Sequence, residues 1–162
     1  MPLLIDFKSN DKLIINGAVL ENIGGNTKIL VHNNSAILRE KEVLAQEDAQ
    51  TPASRVYFEL QSGYILQDEA QRQESLKRFE LRLNEFIAAC PNALDIAQKV
   101  RDNVQNDRIY KALKEARNLI KYESNVLQEF SEQLQNFLVE SEAADNGDVD
   151  VQTDEAADPS ST

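Results

Sequence analysis

Short apolar runs punctuated by turn residues fill the first quarter of the chain. Leu3–Phe7, Leu13–Ile15, Val19–Ile23, Lys28–His32 and Ala36–Arg39 are rich in Ile, Leu and Val and read as strands. Between them stand Asn10-Asp11, Asn16-Gly17, Gly24-Gly25-Asn26 and Asn33-Asn34, residues that tolerate the positive φ of tight hairpin turns. The pattern predicts a small antiparallel sheet or roll over residues 1–44. A module this short buries too little apolar surface to stand alone, so it must dock on the rest of the chain.

The period then changes from two to that of a helix. Glu40–Gln50 is charged and Ala-rich and reads as a connection with one helical turn from Glu42. Thr51-Pro52 is a start signal, a hydroxyl at the N-cap followed by a proline whose missing N–H costs nothing there. The helix it opens runs to Ile65, with Tyr57, Leu60 and Tyr64 on one stripe, Val56 at its margin, and Gly63 able to admit a close neighbour. Leu76, Phe79, Leu83, Phe86, Ile87 and Cys90 share a face of a second helix from about Ala70 to Ala89, which Pro91 stops. Ile96, Val100 and Val104 mark a third over about Asn92–Gln105.

The last stripe is the longest: Ile109, Leu113, Ala116, Ile120, Leu127, Phe130, Leu134 and Phe137, with only Glu123 out of pattern. It predicts one helix, or two joined near Tyr122–Asn125. The heptad-like spacing of its second half suggests a coiled-coil seam with another helix, a second subunit among the candidates.

Charge refines this picture. The net charge of −11 is unevenly spread, because Glu140–Asp158 holds eight of the 28 acids and none of the 17 bases, leaving 20 acids against 17 bases in residues 1–139. That stretch of Ala, Asp, Glu, Ser and Thr has too little apolar surface to offset the entropy of ordering. The expected fold class is therefore α+β: a β module (1–44) packed on a C-terminal α-helical bundle (51–139), followed by a disordered acidic tail (140–162). No basic n-region with a long apolar run opens the chain and no segment is apolar enough to span a bilayer, so a cytoplasmic protein without membrane partners is expected.

Catalytic chemistry has poor material here. His32 is the only histidine and Cys90 the only cysteine. The first reads as a turn-edge residue and the second as a reduced structural thiol, so no metal or other cofactor and no enzymatic activity are expected. Gly24-Gly25-Asn26-Thr27 lies between two strands and lacks the spacing of a phosphate loop.

Basic clusters offer more. Seven bases and three acids lie between Lys99 and Lys121, and Arg108, Lys111 and Lys114 project opposite the apolar stripe of that helix. Such a face can meet phosphate, and it is also what any amphipathic helix turns to water. In the sheet module Lys8, Lys12, Lys28, Arg39 and Lys41 are balanced by Asp6, Asp11, Glu21, Glu40 and Glu42, so nucleic-acid contact there relies on local geometry, with Lys8, Lys12, Arg39 and Lys41 as candidates and Arg39 foremost. The competing reading pairs Arg39 with Glu40 or Glu42. Tyr57, Phe58 and Tyr64 could stack on bases, although aromatics at helical spacing usually form core.

Several longer blocks carry a family likeness. M-P-L at Met1–Leu3, I-N-G-A-V at Ile15–Val19, I-L-R-E-K-E-V-L at Ile37–Leu44, T-P-A-x-R-x-Y-F at Thr51–Phe58, R-L-N-E-F at Arg82–Phe86 and Y-K-A-L-K-x-x-R-x-L-I-x-Y-E at Tyr110–Glu123 closely resemble the FlbT family, in the same order over residues 1–125. The resemblance implies a regulator of flagellum biogenesis, typically a repressor that associates with the 5′ untranslated region of flagellin mRNA and promotes its decay; some relatives act as activators. Where relatives usually have a Pro-Gly turn after the first strand, this chain has Ser9-Asn10-Asp11, and Asn also adopts the left-handed conformation. Leu3–Gly17 and Ile37–Val43 are similar as well to the carbon-storage-regulator family of mRNA binders, a likeness that implies an RNA surface around Lys8 and Arg39. The alternative function is an adaptor that binds another flagellar regulatory protein through its helices, without touching RNA.

Overall fold

A computed structural model describes residues 1–147 of the 162. Among the described residues five strands precede four α-helices: β1 (Leu3–Phe7), β2 (Lys12–Ile15), β3 (Ala18–Glu21), β4 (Thr27–Val31), β5 (Ile37–Arg39), α1 (Pro52–Ile65), α2 (Glu69–Ala89), α3 (Leu94–Gln105) and α4 (Ile109–Asn146). The expected α+β class holds. The chain divides into two compact units, Met1–Glu123 and the part from Ser124 onward.

In the first unit β1 pairs antiparallel with β4, and β2 lies between β3 and β5, also antiparallel. Alternation along β2 decides what each sheet face covers. Leu13, with Ile15 and Ile37, joins Ile5 and Phe7 of the β1–β4 ribbon in a small core, whereas Ile14 and its cross-strand partner Leu38 turn the other way, into the helical core. The docking demanded by the size of the module is thus made by the opposite face of the same strands. The turns use the residues the sequence offered: Asn16 (φ 50) and Gly17 (φ 84) both take positive φ between β2 and β3, and Asn10 takes φ 66 where a Pro-Gly turn is absent.

Thr51 caps α1 as its sequence predicts, accepting the Ser54 N–H, with Pro52 at the first helical position. Gly63 lets α2 approach: a Cβ there would lie 3.1 Å from Leu76 Cδ2. Phe79, Leu83 and Phe86 of α2, Ala97 and Val100 of α3, and Ile109, Ala112, Leu113, Ala116 and Leu119 of α4 complete the core. Residues 40–50 form two 3-10 turns, Glu40–Glu42 and Gln46–Asp48, where one helical turn from Glu42 was expected.

From Ser124 to Gly147 every residue is exposed. The structure resolves the alternatives left open for the last stripe in favour of one continuous helix through Asn146. Glu140–Asn146 are therefore helical and not part of a disordered tail, a correction with a physical reason: Ala and Glu are good helix formers and extend an existing helix without needing burial. The rest of the expected tail, 148–162, lies outside the described residues.

Candidate nucleic-acid interface

The turn after β1 and the end of β5 converge on a cleft of about 600 Å³ floored by Ile5, Phe7 and Leu13 and walled by Lys8, Asp11, Lys12, Arg39, Glu40 and Lys41, with Asp6 at its edge. All four basic candidates of the sheet module are brought together here. Asn22 holds the turn in place. Its side-chain amide donates to the carbonyls of Phe7 (2.9 Å), Lys8 (3.0 Å) and Gly25 (3.0 Å), and its backbone N–H donates to that of Asp11 (3.0 Å). Sequence reasoning missed Asn22, since its partners lie in a different turn.

The acids of this cleft are partly spoken for. Asp6 pairs with Lys28 at 3.6 Å, and Asp11 accepts the Lys8 backbone N–H at 3.1 Å. Lys8, Lys12, Arg39 and Lys41 are exposed or partly exposed, and among the described residues none has a carboxylate within ion-pair distance of its charge. The competing pairing of Arg39 is not made: Glu42 takes the Arg39 backbone N–H at 2.9 Å and turns its other oxygen toward Arg117.

Arg108 and Lys111 line a different cleft, of about 630 Å³, between the Asn16 and Asn34 turns and the start of α4. Tyr64 and Tyr110 stand in it with ring centroids 5.9 Å apart, beside Arg72, which is engaged by Glu69 at 3.4 Å and by the Gly63 carbonyl at 3.2 Å. Lys114 is not among its walls; its ammonium lies 4.8 Å from the centre of the Tyr110 ring, a cation–π contact. The seven candidates therefore fall into one group of four, one of two, and one residue drawn to an aromatic face. Of the aromatics weighed for stacking, Tyr57 is buried, Phe58 half-buried, and Tyr64 reaches a cleft.

Behind the first cleft sits a buried carboxylate. Glu42, 8% exposed, accepts the Tyr110 hydroxyl (2.9 Å) as well as the Arg39 N–H, lies 3.4 Å from Arg117 Nη2, and lends its carbonyl to the Tyr57 hydroxyl. Burial pushes its pKa up, but these donors and the Arg117 charge outweigh that and hold it below the ordinary carboxylate value. Tyr110 is pushed up, by burial first and then by its bond to Glu42. Blocks far apart in sequence meet here, since Glu42, Tyr57, Tyr110 and Arg117 come from three of the motifs quoted above. Together they tie the turn that follows Arg39 to α1 and α4.

Elsewhere chemistry is sparse. Burial, reinforced by the Glu123 charge, pushes the Cys90 thiol up and keeps it protonated. Among the described residues no cluster of His, Cys, Asp and Glu could hold a metal ion, and no helix is long and apolar enough to cross a membrane.

Comparison with known proteins gives a consistent result. The family model of the flagellar protein FlbT matches residues 3–127. A probable flagellum biosynthesis repressor protein FlbT of Caulobacter sp. (strain K31) is 34% identical over 129 residues, covering 78% of this chain and 97% of that protein. The flagellum biosynthesis repressor protein FlbT of Caulobacter vibrioides (strain ATCC 19089 / CIP 103742 / CB 15) is 32% identical over 129 residues, 78% of this chain and 90% of that protein. A probable counterpart in Rhodopseudomonas palustris (strain TIE-1) is 32% identical over 127 residues, 78% and 98% respectively. No solved structure matches the chain.

Proposed function

The chain belongs to the FlbT family of flagellar proteins, and on that premise we propose that it is a non-enzymatic cytoplasmic regulator that binds the 5′ untranslated region of flagellin mRNA and promotes its decay or represses its translation. The names of its relatives, flagellum biosynthesis repressors, support the coarser role, regulation of flagellum production. The RNA step rests on one observation, the gathering of Lys8, Lys12, Arg39 and Lys41 around a single cleft in which two of the three acids, Asp6 and Asp11, already have partners and Glu40 is the third.

Phosphates held by the lysines supply affinity that salt weakens, and the planar guanidinium of Arg39 suits a base edge or a bidentate phosphate. A looped or single-stranded leader fits best, since its unstacked bases are readable where those of an A-form duplex are not. A leader so occupied is closed to the ribosome or presented to a nuclease, and the protein itself makes and breaks no bond.

The test is a strain lacking the gene, complemented with the wild-type chain or with the Lys8→Ala/Lys12→Ala/Arg39→Ala/Lys41→Ala variant. Flagellin message half-life should lengthen in the deletion, be restored by the wild type, and stay long with the variant. Full restoration by a stably folded variant would replace this reading with that of a protein-binding adaptor.

A further inference from the structure

We propose that the second half of α4 pairs antiparallel with the same segment of a second copy of this chain, about a two-fold axis that crosses the seam at the level of Glu132. Leu127 (55% exposed), Phe130 (63%), Leu134 (49%) and Phe137 (66%) lie at alternating steps of three and four along this part of the helix. Their exposed surface, with that of Val126 and Leu138 beside them, amounts to roughly 600–700 Å² per copy, close to the ~800 Å² each partner buries in an interface of standard size.

Two features favour a second copy over a foreign, basic helix. With Leu127 and Leu134 as positions a, and Phe130 and Phe137 as positions d, the flanking e and g positions between them are Ser131 and Gln133, with Val126 and Leu138 just outside. These flanks are uncharged, so they do not repel their own copy and offer a basic partner nothing to pair with. Glu129 and Glu132 fall on the outer face, away from the seam.

The apolar order then selects the direction. Leu127 and Phe137 are equally far from Glu132, as are Phe130 and Leu134. In an antiparallel pair every layer therefore sets a Leu against a Phe, one large ring against one smaller side chain throughout. A parallel pair would instead set Leu on Leu and Phe on Phe, and would bring the acidic ends of the two helices, Glu140, Glu142 and Asp145, side by side. The antiparallel arrangement sends those ends apart.

Light scattering on the full chain, at concentrations up to about 100 µM, should give twice the 18.3 kDa monomer mass. Phe130→Glu/Phe137→Glu should halve that mass with the thermal transition of the Met1–Glu123 unit in place, and Gln135→Glu on the outer face should leave the dimer intact. Direction is read in a Cys90→Ala background. A mixture of Leu127→Cys and Phe137→Cys chains should cross-link, whereas Leu127→Cys alone should not, because its two copies would sit about 15 Å apart along the axis. A monomeric wild type, a dimer indifferent to the paired glutamates, or cross-linking by Leu127→Cys alone overturns the proposal.

Discussion

The carboxylate of Glu123 accepts the backbone N–H of Ala53 across 2.9 Å, so the one acid that interrupts the apolar stripe of α4 serves the N-terminus of α1. It is 6% exposed, and a helix start presents unsatisfied N–H groups and the positive end of the helix dipole. Glu123→Ala should leave the Ala53 N–H buried without a partner and cost about 1–3 kcal/mol. Thermal unfolding followed by circular dichroism checks this, with a Tm several degrees lower expected. Glu132→Ala, at a fully exposed position of the same helix, should not move it.

Acid should act through Glu42. Its folded pKa lies below the ordinary value, so the stability it contributes is present above that value and is lost as pH falls through the lower, folded one. Glu42→Gln should therefore be less stable than wild type at neutral pH, by about 1–3 kcal/mol, and the gap should close as the solution is acidified. Arg117 is 38% exposed on its side chain, so the ion pair itself supplies the smaller share beside the two hydrogen bonds to the carboxylate. Urea midpoints at neutral and acid pH measure both effects, and a constant gap would contradict them.

The partners of these two carboxylates are not legible in the sequence, although Glu123 breaks the apolar stripe of α4. In Arg39-Glu40-Lys41-Glu42 the acids look solvated, and only Tyr110 and Arg117, brought close by the docking of β5 on the helices, make Glu42 a buried acceptor. Periodicity located the strands and helices because it reports burial of local faces, and positive-φ residues located the turns. It also marked Ile120 as core, where Leu119 proves the fully buried neighbour. The convergence of Lys8 and Lys12 with Arg39 and Lys41 joins segments distant in the chain, which periodicity does not show and only the likeness to carbon-storage regulators implies for Lys8 and Arg39, and the separation of Arg108 and Lys111 from them is invisible before folding. The end of α4 is not legible from burial, because Glu140–Asn146 are held helical by propensity and by continuity with the preceding turns.

Gly63 should not tolerate a larger side chain. Its missing Cβ already sets a limit of 3.1 Å to Leu76 Cδ2 between α1 and α2. Gly63→Val adds two further methyl groups to that contact and should cost about 1–3 kcal/mol through overpacking, despite the better helix propensity of valine over glycine. Chemical denaturation checks the loss. Pairing Gly63→Val with Leu76→Ala should recover part of it, whereas simple additivity of two losses would place the strain elsewhere.

RNA contact by the basic cleft is most directly tested by binding of purified protein to a flagellin leader across a series of salt concentrations. The account predicts affinity that falls with salt, a slope that becomes shallower by about one for each of Lys8, Lys12, Arg39 and Lys41 that meets a phosphate when it is replaced by Ala, and unchanged thermal stability in those variants. Leader binding with the same affinity and salt slope in the variant lacking all four, or no leader binding by the wild type at moderate salt, would contradict it.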